Sequence, residues 1–112
     1  MVTMPQLDPT AVLAALASDP KLRVFVSEGR VATMPARKPR RRLLLDVIAQ
    51  AFEPGVHYPE QQVSRFLGAI YPDYAALRRY LVDEQFLSRS GGEYWRCGGT
   101  VPPGTLPPAT DG

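Results

Sequence analysis

The side chains whose grouping could do chemistry in this sequence are its cations. Arg37, Lys38, Arg40, Arg41 and Arg42 fall within the run RKPRRR, Arg78 and Arg79 are adjacent, and Arg89 stands beside Gly91 and Gly92. A guanidinium presents its donors in a planar fork that matches two phosphate oxygens, or the O6 and N7 edge of guanine in a DNA major groove. Each backbone phosphate neutralised adds affinity that falls with salt and carries no sequence information. Over 112 residues, 13 lysines and arginines face 11 acidic residues, a formal net charge of +2. Five of those cations lie between residues 37 and 42, which leaves eight basic against 11 acidic residues elsewhere. The positive potential is therefore local, and screening over roughly 8 Å at physiological salt keeps it so.

Catalysis has no comparable support. The chain lacks a glycine-rich phosphate loop and a nucleophile motif, and His57 is its one histidine. We therefore expect no catalytic residues, no cofactor and no metal site. His57 has no second histidine or cysteine at ligand spacing and reads as structural or solvent-exposed. Cys97, the single cysteine, cannot form an internal disulfide, which points to a reducing cytoplasm and to a packing or incidental role. The start MVTMPQLDPT lacks the basic and apolar regions of a signal peptide. No window approaches the roughly 18 apolar residues of a membrane helix, so no membrane partner is expected.

The elements that must position the cations follow from caps and periodicity. Asp8 and Pro9 start a first helix with Val12, Leu13, Leu16 and Ala17 on one face. A second short helix is expected from Pro20 with Asp19 as cap, then a turn at Glu28–Gly29 and a short strand over 30–33. Leu44, Leu45, Val47, Ile48, Ala51 and Phe52 recur at helical spacing and predict a helix over about 40–52, with the arginines in its first turn. That placement opposes the helix dipole, at a cost in solvent of up to about 1 kcal/mol.

After Pro54 and Gly55, a strand over 56–58 and a helix starting at Pro59 are expected, with Val63, Phe66, Leu67 and Ile70 facing inward. Asp73 caps the next helix, whose inward set is Tyr74, Leu77, Leu81 and Val82. Strands over 86–89 and 93–96 then close a hairpin on Gly91 and Gly92. The order predicts an α+β, mostly helical fold: a winged helix-turn-helix with an N-terminal helical extension and a C-terminal β-hairpin wing. One domain is expected over 8–97, between a flexible segment 1–7 and a Gly/Pro-rich disordered tail 98–112.

Taken in order, MPARKPRRRLLLDVI, VHYPEQQVSRFL and DYAALRRYLVDEQFLSRSGGEYWR resemble a prokaryotic domain family of unknown function. Its domain occurs alone or beside helix-turn-helix domains in proteins described as transcriptional regulators. The resemblance spans about residues 20–96, and its most specific part is Asp73-Tyr74, Leu77-Arg78-Arg79 and the closing Tyr94-Trp95-Arg96. In that pattern lysine is frequent at position 37, asparagine at 64 and glutamate at 80, where this chain has Arg37, Ser64 and Tyr80. The resemblance implies a bacterial cytoplasmic protein with a regulatory association and no defined ligand.

Two functions follow as expectations. In the first, the chain is a DNA-binding transcriptional regulator, helped by homodimerisation. Arg79 and Arg78 approach the major groove while Arg37, Lys38, Arg40, Arg41, Arg42 and Arg89 grip phosphates. In the second, it is a non-enzymatic interaction module whose basic run docks an acidic, transcription-related protein partner. Arg78 has a competing reading as an ion-pair partner of Asp46, Asp83 or Glu84. Trp95 is expected in the core rather than stacking on bases, and Arg96 is a further candidate for the basic patch. The two functions differ on whether Arg79 and the 37–42 run share a face.

Overall fold

Asp8 opens the first helix by accepting the amide hydrogens of Thr10 and Ala11 at 3.0 and 3.4 Å, which Pro9 leaves as the free donors of that turn. In the computed structural model, which describes residues 7–99, α1 runs Pro9–Ser18 and buries Val12 and Leu16, while Ala17 is exposed. No α-helix follows at Pro20. The Asp19 side chain takes the Lys21 amide at 2.8 Å, its carbonyl takes those of Leu22 and Arg23, and only a 3₁₀ turn, Arg23–Phe25, forms. The branched residues Val24 and Val26 then favour an extended chain. β1 (Val26–Ser27) pairs antiparallel with β2 (Arg30–Val31) across a turn in which Glu28 and Gly29 both have positive φ.

α2 spans Lys38–Ala49, two residues earlier at its start than its apolar period indicates, because Pro39 sits in the first turn, where a missing N–H costs nothing. It ends before Phe52, whose amide bonds to Ala49 O in a tighter turn. Phe52 itself is buried, edge-on to Tyr58 at 5.3 Å and to Phe66 at 5.6 Å.

Tyr58–Pro59 forms β3 rather than a strand over 56–58. Pro59 caps α3 (Glu60–Ile70) instead of opening it. Val63, Phe66, Leu67 and Ile70 are all buried, as their spacing predicts. Asp73 accepts the Ala76 amide at 3.1 Å and starts α4 (Tyr74–Asp83), which buries Leu77 and Leu81. Tyr74, expected inward, is 43 % exposed.

β4 (Leu87–Ser90) and β5 (Glu93–Arg96) form a hairpin over Gly91 and Gly92, both at positive φ as a two-residue turn of this kind requires. β3 adds to the free edge of β5, giving the strand order β3-β5-β4. Register decides the faces: Arg89 pairs with Tyr94 and Leu87 with Arg96, so these four point toward the helices. Tyr94, not Trp95, is therefore the hairpin aromatic in the core, at 1 % exposure. Trp95 turns to the outer face, where His57 stacks on it at 4.3 Å with the rings 8° from parallel and bonds Glu93 at 3.1 Å.

Among the described residues the architecture is a small α+β unit of four α-helices and two antiparallel sheets. No helix of the described residues is long and apolar enough to cross a membrane. Residues 1–6 and 100–112, the bulk of the expected flexible start and tail, lie outside the described residues. Gly98 and Gly99 still run close against Gln85, Phe86 and Asp46.

Candidate nucleic-acid interface

α4 separates two basic regions. At 3.6 residues per turn, Leu77 and Leu81 define its inner face, Tyr80 and Glu84 fall on one flank, and Arg78 and Val82 fall on the other. Arg79 lies outward between Ala75 and Asp83 and is exposed. No side-chain hydrogen bond or ion pair holds it among the described residues.

On the flank of Arg78, α4 and the hairpin enclose an open groove of about 360 Å³ lined by Ala75, Arg78, Arg79, Val82, Asp83, Arg89 and Tyr94. Arg78, whose expected partner was Asp46, Asp83 or Glu84, instead donates to Ser64 Oγ on α3 at 2.7 Å. Its guanidinium lies 5.9 Å from the centre of the Tyr94 ring, and that of Arg89 lies 5.5 Å from it. The carboxylate of Glu60, in the first turn of α3, reaches 3.8 Å from Arg78 and 3.9 Å from Arg89. A second hollow continues the groove along α3, past Gln61, Ser64 and Arg65 to Tyr74. Arg78, Arg79 and Arg89, separated by up to eleven positions in sequence, are thus brought to one concave surface.

The 37–42 run meets the opposite flank. Arg42 donates to Glu84 Oε1 at 2.8 Å and to the Glu84 carbonyl at 3.1 Å, and its guanidinium lies 4.7 Å from the Phe86 ring centre. Arg41 approaches the same carboxylate at 3.8 Å, donates to Ala36 O at 3.2 Å and covers the Tyr80 ring at 5.1 Å. Lys38 reaches it at 4.0 Å but stays 66 % exposed, while Arg40 donates to Lys21 O at 3.0 Å. Arg37 caps α2 by position and makes no side-chain cap bond. Lys38, Arg41 and Arg42 therefore fasten the start of α2 to the end of α4, and the cationic first turn has a local anion in Glu84.

The hydrogen bond from Arg42, with the charges of Lys38 and Arg41, holds the Glu84 carboxyl below its ordinary value despite the opposing effect of desolvation. A carboxyl whose folded value is depressed stabilises the fold above its unfolded value, and that contribution is lost as pH falls through the lowered one. Glu84→Gln is accordingly expected to lose stability at neutral pH and to show a smaller fall in Tm on acidification than the parent. Thermal unfolding followed by circular dichroism across the acid range checks this.

Arg96, a candidate for the patch, is buried instead. Its Nε donates to Gly98 O at 3.0 Å, and burial lowers its pKa while Asp46 opposes that shift. Sequence reasoning missed Glu60, Ser64, Arg65 and Tyr94 as lining residues. A signal for three of them was present: Glu60 and Ser64 recur at helical spacing on the flank of the apolar stripe of α3, and Arg65 follows on its outer side. Among the described residues no group of three or more His, Cys, Asp or Glu side chains could hold a metal ion.

The unit is thus a small α+β domain with an arginine-lined groove between a helix and a hairpin. Residues 30–96 match the family described as "Uncharacterized protein conserved in bacteria (DUF2087)", and the chain belongs to that family. The match covers β2 through β5, including both basic regions, and leaves α1 outside. No curated protein matches the chain, and no solved structure does.

Proposed function

We propose that this protein is a cytoplasmic DNA-binding regulator of winged-helix type, with α3 and α4 as the helix-turn-helix, β4–β5 as the wing, and the groove between α4 and the wing as the contact surface. The observation that carries the reading is the convergence of Arg78, Arg79 and Arg89 on that groove, with Arg79 exposed and uncommitted. A duplex lying along α4 would meet Arg79 first, with Arg89 of the wing on an adjacent phosphate and Arg65 of α3 beyond. The outward face also carries Ala75, Ala76 and Asp83, a composition suited to phosphate contacts more than to reading several bases. Arg41 and Arg42, already held by Glu84, serve in this reading to fix α4.

One observation favours the alternative of a protein-interaction module: the run and the groove lie on opposite flanks of α4. Arg37 and Lys38 thus form a separate basic edge open to an acidic partner.

Fluorescence anisotropy with a labelled random duplex at two salt concentrations tests the DNA reading. Binding tighter than about 100 µM at low salt, weakening steeply as salt rises, is the expected outcome. Absence of binding at that concentration removes it in favour of the interaction module.

A further inference from the structure

The Arg78–Arg89 groove contains its own anion and a donor with nothing to donate to. Glu60 stands between the two guanidiniums at 3.8 and 3.9 Å, longer than a hydrogen-bonded ion pair, and is 43 % exposed on its side chain. Its carboxylate therefore neutralises the arginines without occupying their donors. Beneath them Tyr94, at 1 % exposure, lines the groove, and its hydroxyl is buried without a hydrogen-bond partner among the described residues. Native structures seldom leave such a group unsatisfied, and each instance calls for an explanation. An occupant rich in acceptor oxygens supplies one.

We infer that the groove is a phosphoryl-binding site, in which a phosphoryl group displaces the Glu60 carboxylate from between Arg78 and Arg89 and accepts a hydrogen bond from the Tyr94 hydroxyl. Three or more acceptor oxygens at one centre can engage two guanidinium forks and a hydroxyl together, which a single carboxylate at these distances does not. Glu60 is then a built-in competitor. It keeps the arginines placed and partly screened while the site is empty, and it sets the affinity threshold for the ligand. This rests on the DNA reading only if the phosphoryl group belongs to a nucleic-acid backbone; a free phosphoester would use the same contacts.

The test measures two probes, inorganic phosphate by amide chemical-shift titration and a random duplex by anisotropy, against the parent, Glu60→Gln, Tyr94→Phe and Arg89→Ala. Removing the competing charge should tighten phosphate binding about fivefold, as expected for like charges about 4 Å apart at the dielectric of bulk water. Arg89→Ala should weaken it about tenfold. Tyr94→Phe should weaken it too while leaving Tm equal or higher, since the variant removes an unpaired buried hydroxyl; a purely structural tyrosine would show the reverse pattern.

If the duplex follows the same order of variants, the phosphoryl group is that of a backbone. If phosphate responds and the duplex binds no variant, the site stands and the DNA reading falls. If the duplex binds but neither probe responds to Glu60→Gln or Tyr94→Phe, the phosphoryl site is overturned and the DNA reading survives. Failure of both probes on every variant overturns both.

Discussion

Alanine at Arg78, Arg79 and Arg89 together is expected to lower affinity for a random duplex by about a hundredfold to a thousandfold at low salt, from the loss of three charge-assisted contacts. The salt dependence should fall with it. Each neutralised phosphate contributes nearly one unit to the slope of log affinity against log salt, so the triple variant should be shallower by about three. Arg78 also donates to Ser64 at 2.7 Å, and its loss loosens α3 against α4. Arg79→Glu supplies the cleaner comparison, since Arg79 is exposed and has no side-chain partner among the described residues; it should reduce binding without moving Tm. The contrasting set, alanine at Lys38, Arg41 and Arg42, should cost more stability than affinity, because those side chains converge on Glu84. Anisotropy at several salt concentrations, with circular dichroism on the same samples, separates the two.

Leu77→Ala is expected to cost about 2–5 kcal/mol, a large part of the roughly 5–15 kcal/mol that holds a small domain together. Leu77 is fully buried on the inner face of α4, whose ten residues are too few to hold as an isolated helix. Its packing against the core is what places Arg78 and Arg79 beside the hairpin. The cavity left by alanine should lower Tm by at least about 10 °C, given that each kcal/mol moves a domain of this size by several degrees. Val24→Ala is the matched control. Val24 is 72 % exposed, and the change should stay within about 0.5 kcal/mol. Chemical denaturation of the three proteins checks both values.

The parts of this fold that were legible in the sequence are those fixed by local chemistry. Asp8 and Asp73 cap helices because a carboxylate before a helix has only nearby amides to satisfy. The stripe of α3, and Leu77 and Leu81 of α4, are buried as their helical spacing indicates. Gly91 and Gly92 turn the hairpin because positive φ is open to glycine.

What was not legible depended on pairing across the chain. Alternation puts Tyr94 and Trp95 on opposite faces, but only the register with β4 and the addition of β3 decide which one meets the helices. The apolar stretch after Pro20 was too short to separate helix from strand, and the Asp19 side chain and carbonyl hold it as a 3₁₀ turn instead. Charge at 37–42 was plain from composition, whereas its neutralisation by Glu84 joins residues 42 positions apart. For the candidate site, the arginines themselves could be named in advance. Their convergence with Glu60 and Tyr94 could not, since four elements contribute to it.

The face proposed to meet nucleic acid is the groove between α4 and the hairpin rather than the basic run. Amide chemical-shift mapping on the labelled protein, titrated with a random duplex of about 16 base pairs, tests it most directly. The largest changes are expected on Glu60 to Arg65, Ala75 to Asp83 and Ser88 to Tyr94. Shifts confined to residues 37–42, or none at saturating duplex, would contradict it.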